Sequence, residues 1–158
     1  MPSIDPLDAR LLKLLSDEPR IGVLEASRRL GVARGTVQAR LDKLLGRGVV
    51  RSFGPEVDPA ALGYGVTAFV TLEISQAGGH DMLAVHLDGI PEVLEAHTIT
   101  GSGDLLLRIV ARSNADLQRV IDSIVRADGI RRSSSVIALE TQLAYRVLPL
   151  VEQAAREG

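Results

Sequence analysis

Val23-Leu24-Glu25-Ala26-Ser27-Arg28-Arg29-Leu30-Gly31-Val32-Ala33-Arg34-Gly35-Thr36-Val37-Gln38-Ala39-Arg40-Leu41-Asp42-Lys43-Leu44, continuing Leu45-Gly46-Arg47-Gly48-Val49-Val50, decides the fold of this 158-residue chain. It reads as a helix over Val23–Leu30, a glycine turn and a basic helix over Arg34–Gly46. Gly22 is a tolerable N-cap, and Gly31 sits where a left-handed residue ends a helix. Gly46 and Gly48 stop the basic helix. Val49, Val50 and Phe53 then suggest the short strand of a wing, broken near Gly54-Pro55. That order describes a winged helix-turn-helix, a unit that presents its second helix to the major groove of DNA.

Upstream, Ile4, Leu7, Leu11, Leu14 and Leu15 fall at helical spacing, so a preceding helix is expected over about Asp5–Ser16, stopped by Pro19. In the basic helix Val37, Leu41, Leu44 and Leu45 make the inward stripe. Arg34, Thr36, Gln38 and Arg40 are left to face bases, because such helices read mainly from their N-terminal half. Arginine pairs bidentately with guanine and glutamine with adenine, while threonine reaches a phosphate or a thymine methyl. Lys43 shares the outer face. Arg28, Arg29, Arg47 and Arg51 are expected on phosphates, giving affinity without sequence information.

The charge is divided in a way that fits. Net charge is −2, but residues 1–51 hold ten Lys/Arg against six Asp/Glu, and the remainder eight against fourteen. A basic head on an acidic body suggests a DNA-contacting module joined to one with another task. There is no cysteine, so no disulfide framework or thiolate metal site is expected. No apolar run approaches a membrane span and no signal-peptide core opens the chain, so no membrane partner and a cytoplasmic location are expected.

Past residue 53 the period changes. Gly54, Pro55, Pro59 and Gly63 mark a linker over 54–64, with room for one short return strand. Tyr64 to Ile74 alternates like a strand. Gly78-Gly79 precedes a short helix around Asp81–Leu87. Strands are expected over Val93–Thr100 and Leu105–Ala111, a helix over Asn114–Ala127, and a last strand over Arg131–Leu143. The fold class is therefore α+β, an N-terminal winged helix-turn-helix plus a C-terminal ferredoxin-like βαββαβ sandwich. The expected domains are 1–53 and 65–146, with 147–158 as a tail. One sheet face lacks cover from its own chain while carrying Phe69, Leu106 and Val110, so a homodimer is expected.

The turn Gly101-Ser102-Gly103-Asp104 offers backbone N–H groups that glycines let a ligand approach. These can hold a carboxylate, and Asp104 can accept from an ammonium group, which together is the chemistry of a free amino acid. Ser133 and Ser135 would share one face of the last strand and add hydroxyls. His97 and Thr98 are placed at the same cavity. His80, His86 and His97 are scattered without a nucleophile or metal-ligand spacing, so neither catalysis nor a metal or other cofactor is expected.

Residues 4–145 resemble the Lrp/AsnC family of transcription regulators. The resemblance is carried by Ile4-Asp5-Pro6-Leu7-Asp8-Ala9-Arg10-Leu11-Leu12, Gly48-Val49-Val50-Arg51, Leu62-Gly63-Tyr64, and Thr100-Gly101-Ser102-Gly103-Asp104-Leu105-Leu106-Leu107. It implies an amino-acid-sensing regulator of paired DNA half-sites, dimerising through its second domain and assembling to octamers. It also implies that Thr100–Asp104 hold an effector between subunits, and that Ser133 and Ser135 stand where the family often has threonine. Ala33 departs from the family's usual serine cap, a loss of about 1 kcal/mol. Ala39-Arg40 replaces a common Arg-Arg pair. A sirohaem-decarboxylase-like enzyme shares this architecture and is the alternative; it would use His97 and Arg108.

Overall fold

The computed structural model describes residues 4–75 and 80–157, with backbone alone for His80 and Asp81. Gly78-Gly79 lies outside the described residues. The chain forms two compact units, residues 1–55 with 143–158, and residues 56–142.

The first unit begins with α1 (Pro6–Asp17). Asp5 caps it, accepting from the Leu7 and Asp8 amides at 2.9 Å each, and Asp8 answers to the Asp5 amide at 3.4 Å. With Pro6 in the first turn, this capping box fixes where the helix starts. Next come α2 (Val23–Leu30) and α3 (Arg34–Gly46). Gly31 adopts φ +69°, the left-handed conformation that frees α2's last carbonyls for the turn. Arg10 donates to one of them, Leu30 O, at 3.0 Å. Leu11, Ala26, Leu30, Val37 and Leu44 form the core.

Three expectations for this unit need correction. The helix-turn-helix is present, but residues 49–53 form no strand. Val49 and Val50 instead donate to Leu44 O, at 2.9 and 3.2 Å, closing α3 rather than starting a ladder. Leu45 stands exposed at 38% and is not part of the inward stripe, because Val37, Leu41 and Leu44 already fill it. The residues read as a tail form a helix, α6 (Leu148–Glu157), whose Val151 and Ala155 pack on the first unit's core. Its apolar positions fall three and four residues apart, the spacing of a helix with one buried face.

In the second unit a 3-10 turn at Ala60–Leu62 occupies the linker in place of the short return strand that the sequence allows. The elements β1 (Val66–Ile74), α4 (His80–Asp88), β2 (Val93–Thr98), β3 (Leu105–Ala111), α5 (Asn114–Val125) and β4 (Ile130–Ala138) follow. Among the described residues they make a four-stranded antiparallel sheet in the order β2-β3-β1-β4. Alternation aims Ala68, Val70, Leu72, Leu107 and Ile109 at α4 and α5, which contribute Leu83, Leu87, Leu117, Val120 and Ile124. On the opposite face Phe69 is 37% and Val136 62% exposed, whereas Val110 is buried. The fourth strand ends at Ala138, five residues short of the expected Leu143. Its partner strand β1 runs out there, with Ala138 opposite Thr67.

Candidate functional site

In α3 the solvent face carries Arg34, Thr36, Gln38, Ala39 and Lys43, and Val37 and Leu44 are buried. Ala33 caps the helix without a side-chain hydrogen bond, as its methyl group dictates. Arg34 and Lys43 form no ion pair among the described residues, and neither does Arg51. Gln38 donates to Asp42 at 2.8 Å, one turn along. Arg28 lies 3.5 Å from Glu25, and Arg29 bridges Glu18 at 2.7 Å and Glu25 at 3.2 Å. All three arginine–glutamate contacts are exposed and weak enough to exchange for a phosphate. Arg47 is half-buried, with one guanidinium nitrogen unpartnered among the described residues.

Arg40 is not displayed with the others. It turns toward α1 and donates to both Asp5 and Asp8, reaching Asp8 Oδ1 at 3.0 Å. Asp8 is fully buried and Arg40 is 30% exposed. The Asp8 amide and then the Arg40 guanidinium hold the Asp5 carboxyl below its ordinary range. Asp5 and then Asp8 push the Arg40 guanidinium up. The sequence presents Arg40 as a base reader, whereas the structure makes it a tie between α3 and α1.

The second unit gathers polar groups at the β2–β3 turn. Gly101, Ser102, Gly103 and Asp104 border an open hollow of about 640 Å³ with Glu73, Ile74, Ser75 and Arg131. A smaller recess of about 170 Å³ adjoins it, shared by Ser102, Thr71, Glu73, Arg132 and Ser134. Gly101 has φ +115°, which a side chain rarely tolerates. At Gly103 a Cβ would lie 2.3 Å from Thr71 Cγ2, so only glycine lets the turn lie against β1. The amides of Gly101, Ser102 and Gly103 have no hydrogen-bond partner among the described residues. Asp104 is pinned: its amide donates to Leu72 O at 2.8 Å, and its Oδ2 accepts from Ile74 N at 2.6 Å. Oδ1 has no hydrogen-bond partner among the described residues.

Other expected contacts are not brought here. Ser133 and Ser135 pair with Leu72 and Val70, and so lie on the helix-covered face of the sheet. Ser134, opposite Thr71, is the serine that joins Ser102. The pairing is unbroken from Thr67 to Glu73, and the register shifts only beyond it, between Glu73 and Ile74. His97 is 62% exposed on β2 and lies 3.6 Å from Glu95, as does Arg108. Neither His97 nor Thr100 borders the hollow, and Thr98 is exposed on the edge strand. Glu73, Arg131 and Ser134 were missed. The strict alternation of β1 could have given Glu73, but the run Arg131-Arg132-Ser133-Ser134-Ser135 has no apolar residue to show its parity.

A helix-turn-helix unit and a separate α+β unit with a polar hollow are the domain pair of a DNA-binding regulator with a ligand-binding domain. The model for the AsnC-type helix-turn-helix domain matches residues 4–45, and that for the Lrp/AsnC ligand binding domain matches residues 67–148. The chain belongs to the Lrp/AsnC family and is a transcriptional regulator. It is 30% identical to the HTH-type transcriptional regulator FL11 of Pyrococcus abyssi over 94% of this chain and 97% of that protein. The structure of Escherichia coli AsnC superimposes with a TM-score of 0.84 at 28% identity, covering 92% of this chain and 99% of that one. The Mycobacterium tuberculosis feast or famine regulatory protein complexed with L-methionine gives 0.79 at 26% identity, covering 91% and 97%. The relatives that match are named as regulators, which decides against the sirohaem-decarboxylase alternative. Among the described residues no helix is long and apolar enough to cross a membrane.

Proposed function

We propose that the chain is a cytoplasmic regulator that reads paired half-sites of operator DNA with α3 and whose grip on them responds to a free amino acid. Arg34, Thr36 and Gln38 face bases, and Lys43, Arg28, Arg29, Arg47 and Arg51 meet phosphates. The amino acid sits at Gly101–Asp104. Its α-carboxylate takes the three unpartnered amides, and its α-ammonium takes Asp104 Oδ1 and Glu73. Those successive amides are the observation that carries the ligand assignment, because adjacent backbone N–H groups form an anion cradle.

The open sheet face supports a homodimer, and further assembly to octamers follows the family. Dimers hold two recognition helices at a fixed separation, so half-site spacing is geometric. The effector shifts operator affinity only by as much as it prefers one assembly over another. The test is electrophoretic retardation of duplex DNA from upstream of the chain's own gene, against a random duplex, with each of the twenty amino acids. Preferential retardation altered by at least one amino acid is expected. Equal retardation of both duplexes, unmoved by any of the twenty, would overturn the reading.

A further inference from the structure

We propose that Arg40 is a positioning residue that sets the pose of α3 on α1, and that it does not touch DNA. The inference rests on the reading of α3 as the DNA-facing helix. Arg40 belongs to that helix by sequence, yet its guanidinium is spent on Asp5 and Asp8. Asp8 has no exposed surface, so it cannot turn to water for solvation. An Arg40 that swung out to a phosphate would leave that carboxylate buried without its cation, an arrangement proteins avoid. Asp5 is also the N-cap of α1, so the same contact joins the start of α1 to the middle of α3. Both bonds leave one guanidinium nitrogen, Nη1, which bridges the two carboxylates and so ties α3 to α1 at a single point. Arg34 and Lys43, on the exposed face, keep their charge for DNA.

Fluorescence anisotropy of a labelled random duplex and of the upstream duplex, across a salt series, separates the two roles. A phosphate contact contributes about one unit to the slope of log affinity against log salt. Arg40→Met should keep the wild-type slope on random duplex and lower the preference for the upstream duplex by about tenfold, the effect of roughly one mismatched base pair. Asp8→Asn should lose the same preference although it is buried, and the double variant should lose no more than either single one. Arg40→Lys keeps a cation able to bridge both carboxylates from one nitrogen and should recover part of the preference. A slope reduced by about one in Arg40→Met, with Asp8→Asn like wild type, would overturn the proposal by showing direct contact. An unchanged preference in variants shown by circular dichroism to be folded would also overturn it, leaving Arg40 a stabilising residue only. If wild type binds neither duplex at low salt, the DNA reading itself fails. Should Arg40→Met not fold, Asp8→Asn and Arg40→Lys carry the same comparison.

Discussion

Arg40 on the third helix reaches Asp8 on the first at 3.0 Å, and Asp8 is shielded from solvent. A charge so placed is costly alone and tolerable in company. Removing the arginine strands the carboxylate, so Arg40→Met should destabilise the first unit by about 3 kcal/mol. Replacing both partners, as Asp8→Leu with Arg40→Met, should return most of that loss. Urea unfolding followed through α-helical circular dichroism measures both. A double variant as weak as the sum of its parts would contradict the pairing.

Acid should loosen the protein for a related reason. The Asp5 carboxyl is held below its ordinary range by the Asp8 amide and Arg40, and the Asp116 carboxyl by the Arg112 amide and Arg119. A depressed folded-state value means the unfolded chain binds the proton more readily. The stabilisation is therefore complete above pH about 4 and is lost as pH falls through the lower folded values. Urea midpoints should hold steady from neutral pH to about 5 and drop below about 4. A midpoint insensitive to acid would count against these contacts.

Gly103 tests the hollow. A methyl group there meets Thr71 Cγ2 at 2.3 Å and Leu72 O at 3.2 Å. Gly103→Ala should lift the turn from β1 and destabilise the second unit by about 1–3 kcal/mol. Adding Thr71→Ser removes the offending methyl and should restore part of the loss. Thermal unfolding of the three variants decides; no rescue by Thr71→Ser would place the clash elsewhere.

The last helix belongs to the first unit's packing. Val151→Asp places a charge among apolar side chains and should destabilise by roughly 2–4 kcal/mol, whereas Leu150→Asp, at 66% exposure, should be nearly neutral. Equal effects from both would mean that α6 does not dock through Val151.

Much of the fold was legible because period and punctuation agreed. The span Val23–Leu30, Gly31 and Arg34–Gly46 appears as read, since apolar spacing and glycines both point to the same boundaries. The antiparallel sheet followed from alternation in β1 and β3. The wing strand failed because its amides are drawn to Leu44 O, a capping contact that composition does not reveal. Helical periodicity sets Arg40 on the outer half of α3 but does not show the partners across from it, Asp5 and Asp8. Its position three residues after buried Val37 and four before buried Leu44 could have raised the suspicion of a half-buried tie. Ser133 and Ser135 share a face as read, but three identical residues cannot encode which face, and pairing with Leu72 and Val70 turns them away from Thr71 and Ser102. Gly101 and Gly103 make the turn that their sequence suggests, because a φ of +115° and a close approach to β1 admit only glycine.

The exposed face of the third helix is the face proposed to meet DNA. Anisotropy of a labelled upstream duplex with wild type and with the Arg34→Glu/Lys43→Glu variant tests it most directly. Wild-type binding should weaken steeply with salt and should fall by about a hundredfold in the folded variant. A folded variant that binds the duplex as tightly as wild type would contradict it.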